Sequence, residues 1–346
     1  MKRNLPTIKE IAEIAKVSTA SVSMILSGKK LTRFSEETIQ KVLSISRELG
    51  YTKAKTGKTI IEVCPTVFNP YYSTIIQGID SEAFAHGMTT MVYNTYWDVE
   101  REKAILNIAE NPSVCGVIFT MIPQQHETAL LLNKKIPVVA VGDYNENIQI
   151  DGVDINNFNA GSLIGNHLIE LGHKNIAFVS TALNSHHSAR TRRLEGLESV
   201  CKSHSDVSKI KVYSKDISSS YELQNVNVEY ETGYELAKEC IKKSPEVTAI
   251  VATNDMVAYG VINAIQDCGF SIPKDYSVCG FDNIFPSKFH DLNLTTIEHS
   301  IIQKGKKAVS LLISRLGYPE EGETVTRIEY KSRLIERGTT AAPRQF

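Results

Sequence analysis

A chain of 346 residues, 42% of them apolar, is long enough for two or three domains with real cores, and no apolar run approaches the roughly 20 residues that a membrane-spanning helix needs. The net charge of −1 hides an asymmetry: residues 1–58 hold twelve Lys and Arg against five Glu, a balance of +7, while the rest carries −8. This implies a basic head aimed at a polyanion, joined to an acidic body. The six cysteines are scattered without a C-x-x-C pair and read as reduced core thiols; with no charged-then-apolar leader at the start, a cytoplasmic protein is expected.

Three helices fill residues 7–50. Thr7 and Glu10 form a T-x-x-E capping box ahead of Ile8, Ile11, Ala12, Ile14 and Ala15, which share a helical face ending near Lys16. A second helix starts with Ser18 as N-cap and buries Val22, Ile25 and Leu26, leaving Thr19, Ala20, Ser23 and Met24 outward or lateral. A third is capped at Ser35, buries Ile39, Val42, Leu43 and Leu49, and stops at Gly50. The first pair has the spacing of a helix-turn-helix, whose second helix enters the major groove.

"TKAKTGKT" follows, with no apolar residue larger than Ala and no periodicity, and reads as a linker over residues 52–58. Strand-like runs then alternate with helical spacing: "TIIEVC", "TTMVYN", "GVIFTM" and "PVVAVG", and again "NIAFVS", "IKVYS", "TAIVAT" and "YSVCGF". That rhythm predicts an α/β body of βαβ units with parallel sheets, in two lobes divided near residues 150–161.

Enzyme chemistry finds no support. "TGKT" lacks the first glycine of a phosphate loop and any preceding strand, and G-x-G-x-x-G, G-x-S-x-G and H-E-x-x-H are absent. His186 and His187 sit in a polar loop and read as solvated side chains. No catalytic residue, metal ligand or cofactor is expected.

"TIKEIAEIAKVSTASVSMILSG" followed by "FSEETIQKVLSISRELGY" resembles the DNA-binding head of the lactose/galactose repressor (LacI/GalR) family. The resemblance continues through "FNPYYSTIIQGIDSEAFAHG", "DGVDINNFNAGSLIGNHLIELGHKNIAFVS", "SARTRRLEGLESV", "VTAIVATNDMVAYGVINAIQDCGFSIPKDYSVCGFDN" and "LTTIEHSIIQKGKKAVSLLISRL". It implies a helix-turn-helix head (1–51), the short linker, and a periplasmic-binding-protein-like effector and dimerisation domain (59–346) crossed three times by the chain. Its first lobe would comprise about 59–155 and 286–320, and its second about 156–285 and 321–346. The function implied is a homodimeric transcriptional regulator, most simply a repressor, that binds double-stranded operator DNA and is controlled by a sugar-like effector. The competing reading, a solute-binding protein of transport or chemotaxis, shares the body but not the basic head.

By the same resemblance, Thr19, Ala20 and Met24 take the first, second and sixth places of the recognition helix and touch bases, Ser23 lies beside them, and Thr7 and Ser18 hold phosphates. Ala20 and Met24 offer only apolar contact, best with thymine methyl groups, and the set cannot make an arginine-type bidentate contact to guanine. The family's Pro-containing hinge and its Leu wedge are missing after Tyr51, which leaves Lys53, Lys55 and Lys58 to contact phosphates nonspecifically. In the body, Arg193, Asn254 and Asp282 map onto effector-binding positions, since an arginine, an amide and a carboxylate suit a polyhydroxylated ligand. Tyr71 and Tyr72 fall where relatives stack or hydrogen-bond the ligand; Trp97 and Asp143 are further candidates in loops after strands. Val228 stands where some relatives place a stacking aromatic.

Overall fold

The computed structural model describes residues 7–26, 33–49, 58–142, 149–184, 188–316 and 324–345. The chain divides between Thr56 and Gly57 into two compact units.

The smaller unit contains α1 (Ile8–Ala15), α2 (Thr19–Leu26) and α3 (Glu36–Glu48). The capping box closes as the sequence requires: the Glu10 amide donates to Thr7 Oγ1 at 3.2 Å and the Thr7 amide to Glu10 Oε2 at 2.6 Å. α1 ends where Lys16 turns left-handed at φ 58°. The α2 and α3 starts are held by Ser18, which accepts from the Ser21 amide at 3.1 Å, and Ser35, which accepts from the Thr38 amide at 3.3 Å. Ile11, Ala12, Ala15, Val22, Ile25, Val42 and Ile45 form the core. Ile14 and Leu49, expected in that core, are 51% and 37% exposed. Residues 8, 11, 12 and 15 already fill the narrow stripe of α1, and Leu49 lies beyond the last helical residue.

In the larger unit, the first lobe is built from β1 (Thr59–Cys64), α4 (Pro70–Ala85), β2 (Thr89–Asn94), α5 (Val99–Ile108), β3 (Val114–Phe119), α6 (His126–Asn133), β4 (Val138–Val141) and β5 (Asp151–Ile155). The second is built from α7 (Asn157–Glu170), β6 (Ile176–Thr181), α8 (Ser188–Lys202), β7 (Lys211–Lys215), α9 (Ser219–Gln224), α10 (Val228–Lys243), β8 (Ala249–Ala252), α11 (Asp255–Asp267) and β9 (Ser277–Cys279). The chain closes with β10 (Thr296–Glu298), α12 (Ile301–Arg315), β11 (Arg327–Tyr330) and β12 (Arg333–Ile335). The first sheet runs β11-β5-β4-β3-β1-β2 and the second β7-β6-β8-β9, with every pairing parallel. β3, β4, β6 and β8 are buried throughout, which is why they read as continuous apolar runs rather than alternating ones.

The share-out of the closing segment between lobes differs from the expectation. Residues 286–298 belong with the second lobe: Ser287 Oγ donates to Asp255 at 2.5 Å and accepts from the Tyr259 hydroxyl at 2.6 Å, and β10 pairs antiparallel with β12. β11, placed in the second lobe by the sequence reading, extends the first sheet in parallel with β5. The chain therefore crosses between lobes after β5, between β10 and α12, and between β11 and β12. Five cysteines are buried and free, but Cys268, just past α11, is exposed rather than a core thiol.

Candidate functional site

Glycine contacts fix the helices that carry the cleft side chains. A Cβ on Gly161 of α7 would overlap the Arg193 carbonyl oxygen on α8, and one on Gly196 of α8 would overlap the Phe158 carbonyl, so α7 and α8 touch backbone to backbone. That contact holds Arg193 at the cleft. On the other side Asn69 caps α4, its Oδ1 accepting from the Tyr71 amide at 2.9 Å, and Pro70 takes the first helical position, so Tyr71 and Tyr72 enter on the first turn. Their rings meet edge to face at 5.1 Å.

Tyr71, Tyr72 and Trp97 of the first lobe and Arg193, Asn254 and Asp282 of the second line one cleft, which encloses about 650 Å³ of empty space, its open mouth included. Asp143, Lys53 and Lys55 lie outside the described residues. Val228 is buried and does not line the cleft.

Arg193 is nearly buried and heavily committed. Its Nε donates to Asn157 Oδ1 at 2.9 Å, Nη1 to the Thr253 carbonyl at 2.7 Å and Nη2 to Asp282 Oδ1 at 3.4 Å, with the guanidinium 4.7 Å from the Phe281 ring centre. Asp282 sits at φ 114° and Asn283 at φ 51°, a backbone conformation that non-glycine residues rarely adopt and that aims the carboxylate into the cleft. Burial raises the Asp282 carboxyl, while Arg193, Lys304 and Arg190 hold it back. Asp255, fully buried behind it, is raised by burial and by Asp282, and accepts from Ser287, Thr296 and the Ile284 amide. Asn254 is a helix cap first: its Oδ1 accepts from the Val257 amide at 2.9 Å, and its Nδ2 donates to Glu229 Oε1 at 2.8 Å.

Glu229, with Asn69 and Arg190, is a cleft residue that the sequence reading missed. It accepts from Asn254 and, across the cleft, from Asn69 Nδ2 at 2.6 Å, and Arg190 Nη2 stands 3.7 Å from it. Burial raises its carboxyl despite Arg190. Arg190 also covers the Trp97 ring at 5.9 Å, and Ser219 Oγ donates to the Trp97 carbonyl at 3.1 Å, so both lobes meet directly at the rim. Tyr96 and Trp97, at φ 53° and 57°, present that rim. Glu229 is next to Val228, the position singled out in the sequence; an acidic residue beside it was the available signal.

In the smaller unit, Thr19 and Ala20 are exposed on the first turn of α2, and Ser23 and Met24 are half-buried on the same helix. The Thr7 hydroxyl closes the α1 capping box, and that of Ser18 meets Ser21 Oγ at 2.8 Å. Among the described residues no group of three or more His, Cys, Asp or Glu could hold a metal ion, and no helix is long and apolar enough to cross a membrane.

Residues 7–53 match the family described as bacterial regulatory proteins, lacI family, and residues 166–340 match a periplasmic binding protein-like domain. The chain is 32% identical over 345 residues to the HTH-type transcriptional repressor PurR of Haemophilus influenzae, covering 96% of this chain and 98% of that one. Among solved structures it is similar to a LacI family transcriptional regulator from Enterococcus faecalis with bound ribose (26% identity, TM-score 0.71, 83% of this chain and 100% of that one). It is also similar to a periplasmic binding protein/LacI transcriptional regulator from Alkaliphilus metalliredigens complexed with D-xylulofuranose (26%, 0.66, 82% and 99%). With relatedness running end to end, and a helix-turn-helix head preceding a two-lobed body with a polar cleft, the chain belongs to the LacI family of transcriptional regulators.

Proposed function

We propose that this protein is a homodimeric repressor that binds a pseudo-palindromic operator in the cytoplasm and is controlled, without turnover, by a sugar-like molecule held between its lobes. The observation that carries the effector reading is the convergence of Arg190, Arg193, Glu229 and Asp282 with Tyr71, Tyr72 and Trp97 in a single cleft. Paired guanidinium and carboxylate groups match hydroxyls that both donate and accept, and aromatic rings match the apolar faces of a sugar ring. The sugars in the two solved relatives support the same class. On α2, Thr19, Ala20 and Met24 face bases with Ser23 beside them, while Thr7, Ser18 and the linker residues Lys53 and Lys55 serve the phosphates. Asp143 is a further effector candidate.

A calorimetric and thermal-shift screen with pentoses, hexoses and their phosphates, beginning with ribose, tests the cleft. The expected result is a hit that Asp282→Asn weakens at least about tenfold, as the loss of a charged hydrogen bond does, and that Trp97→Ala weakens through the loss of ring contact. A hit indifferent to both substitutions places the effector elsewhere. Selection from random duplexes is expected to return thymine-rich half-sites; invariant guanines opposite Met24 would refute the apolar reading edge.

A further inference from the structure

α12 packs one face onto the first lobe, and that face contains Ile301, Gly305, Ala308, Val309 and Leu312, all buried. A lysine stands among them. Lys304 is 1% exposed, and its Nζ donates to the Tyr71 hydroxyl at 3.0 Å and to His299 Nδ1 at 2.9 Å, while lying 5.0 Å from the Tyr71 ring centre. His299 is fully buried, its ring 5.5 Å from that of Tyr71, and its Nε2 is 3.1 Å from Asp282 Oδ1. An ammonium has no lone pair, so Nδ1 must accept; the single ring proton is then on Nε2 and is donated to Asp282. The chain Tyr71–Lys304–His299–Asp282 runs from α4 and α12 of the first lobe, through the crossover after β10, to the cleft wall of the second.

We propose that Lys304 and His299 are positioning residues of the effector cleft: they aim the Asp282 carboxylate at the ligand and fasten it, through Tyr71, to the first lobe. A buried ammonium is costly unless its donors are taken up, and an apolar side chain would fill this slot in α12 without that cost. Its presence behind a ligand-facing carboxylate is what a positioning role requires. The inference rests on the cleft being the effector site, but the relay has its own observables. His299 is pushed well below the usual histidine range by burial, then by Lys304 and Arg193, against Glu298. Asp282 is raised by burial and faces Arg193, Lys304 and Arg190, with Asp255 behind it and Glu229 on the same second-lobe wall. Removing the Lys304 charge therefore lifts both groups.

The test uses the full chain and Lys304→Met, which fits the slot without charge, with cooperative melting as the check on folding. Long-range proton–nitrogen spectra of the histidines, His299 being assigned by its loss in His299→Gln, are expected to show a neutral Nε2–H ring from pH 5.5 to 8.5. In Lys304→Met His299 should begin to titrate, and carbon-labelled aspartate should show the Asp282 transition moved up by about one pH unit. Unchanged His299 and Asp282 signals overturn the proposal. Ribose is the binding probe: if it binds the wild type, Lys304→Met should weaken it about tenfold with the loss at low pH beginning at higher pH, and equal affinity overturns the positioning role. Absence of ribose binding by the wild type counts against ribose as the effector alone, and the spectra then decide the relay.

Discussion

At the scale of single residues, buried ionisable groups set how the stability of this molecule depends on pH. Glu62 on β1 is fully buried, neither carboxyl oxygen makes a hydrogen bond of ordinary geometry, and burial, against the nearby Thr90 hydroxyl and together with the Asp80 charge, raises its pKa from 4.5 to about 8. A carboxyl whose folded value lies above its unfolded one keeps its proton only while folded, so stability falls as pH rises from about 4.5 to about 8. Urea unfolding of Glu62→Gln is expected to flatten that decline and to gain on the order of 3 kcal/mol over wild type at pH 8, with little gain at pH 5. An unaltered slope would mean that the proton is held elsewhere. Residues of this kind are poorly legible in sequence. Arg193, Asn254 and Asp282 stood in motifs; Asn69, Arg190 and Glu229 reach the cleft from three separate segments, and His299 stands behind Asp282 from a fourth, an arrangement that only the fold assembles. Lys304 was the exception, a charge on the apolar side of α12 at helical spacing with Ile301 and Ala308.

At the scale of elements, the sequence was legible wherever periodicity or a cap fixed the answer. The capping box at Thr7, the starts at Ser18 and Ser35, and the β1 and β2 runs all lie where residue pattern put them. What escaped was the pairing of distant strands, because nothing local in "RIEY" tells whether it completes the first sheet or the second. Helix pairs are set by small residues, and this gives a second expected outcome. Gly161→Ala forces α7 away from the Arg193 carbonyl, so it should destabilise the chain by about 2 kcal/mol or more and weaken the effector even though residue 161 does not line the cleft. Chemical denaturation and calorimetry measure the two effects; full affinity in a folded Gly161→Ala protein would show that the α7–α8 contact does not position Arg193.

At the scale of the whole molecule, the proposed dimer needs a covered surface, and the first lobe offers one on neighbouring α4 and β2. Phe84 is 81% exposed, and Val92, on the α4 side of β2 with Thr90, is 40% exposed. A charge there should break a self-complementary contact without touching the cleft. Phe84→Glu is expected to halve the mass seen by light scattering and to cost operator affinity at least about 100-fold while leaving effector binding intact, since one head has lost the help of the other. A dimer that survives would move the interface off this face. The strand order carries a further consequence, for synthesis. β11 closes the first sheet and β12 pairs with β10 beside the second, so the first lobe lacks a strand until residue 330, and the second until residue 335, has emerged from the ribosome. The three helices of the head need nothing beyond residue 49 for their core. A nascent chain thus acquires its DNA-reading surface early and its control surface last, and chains that stall in between would carry heads that no effector can address.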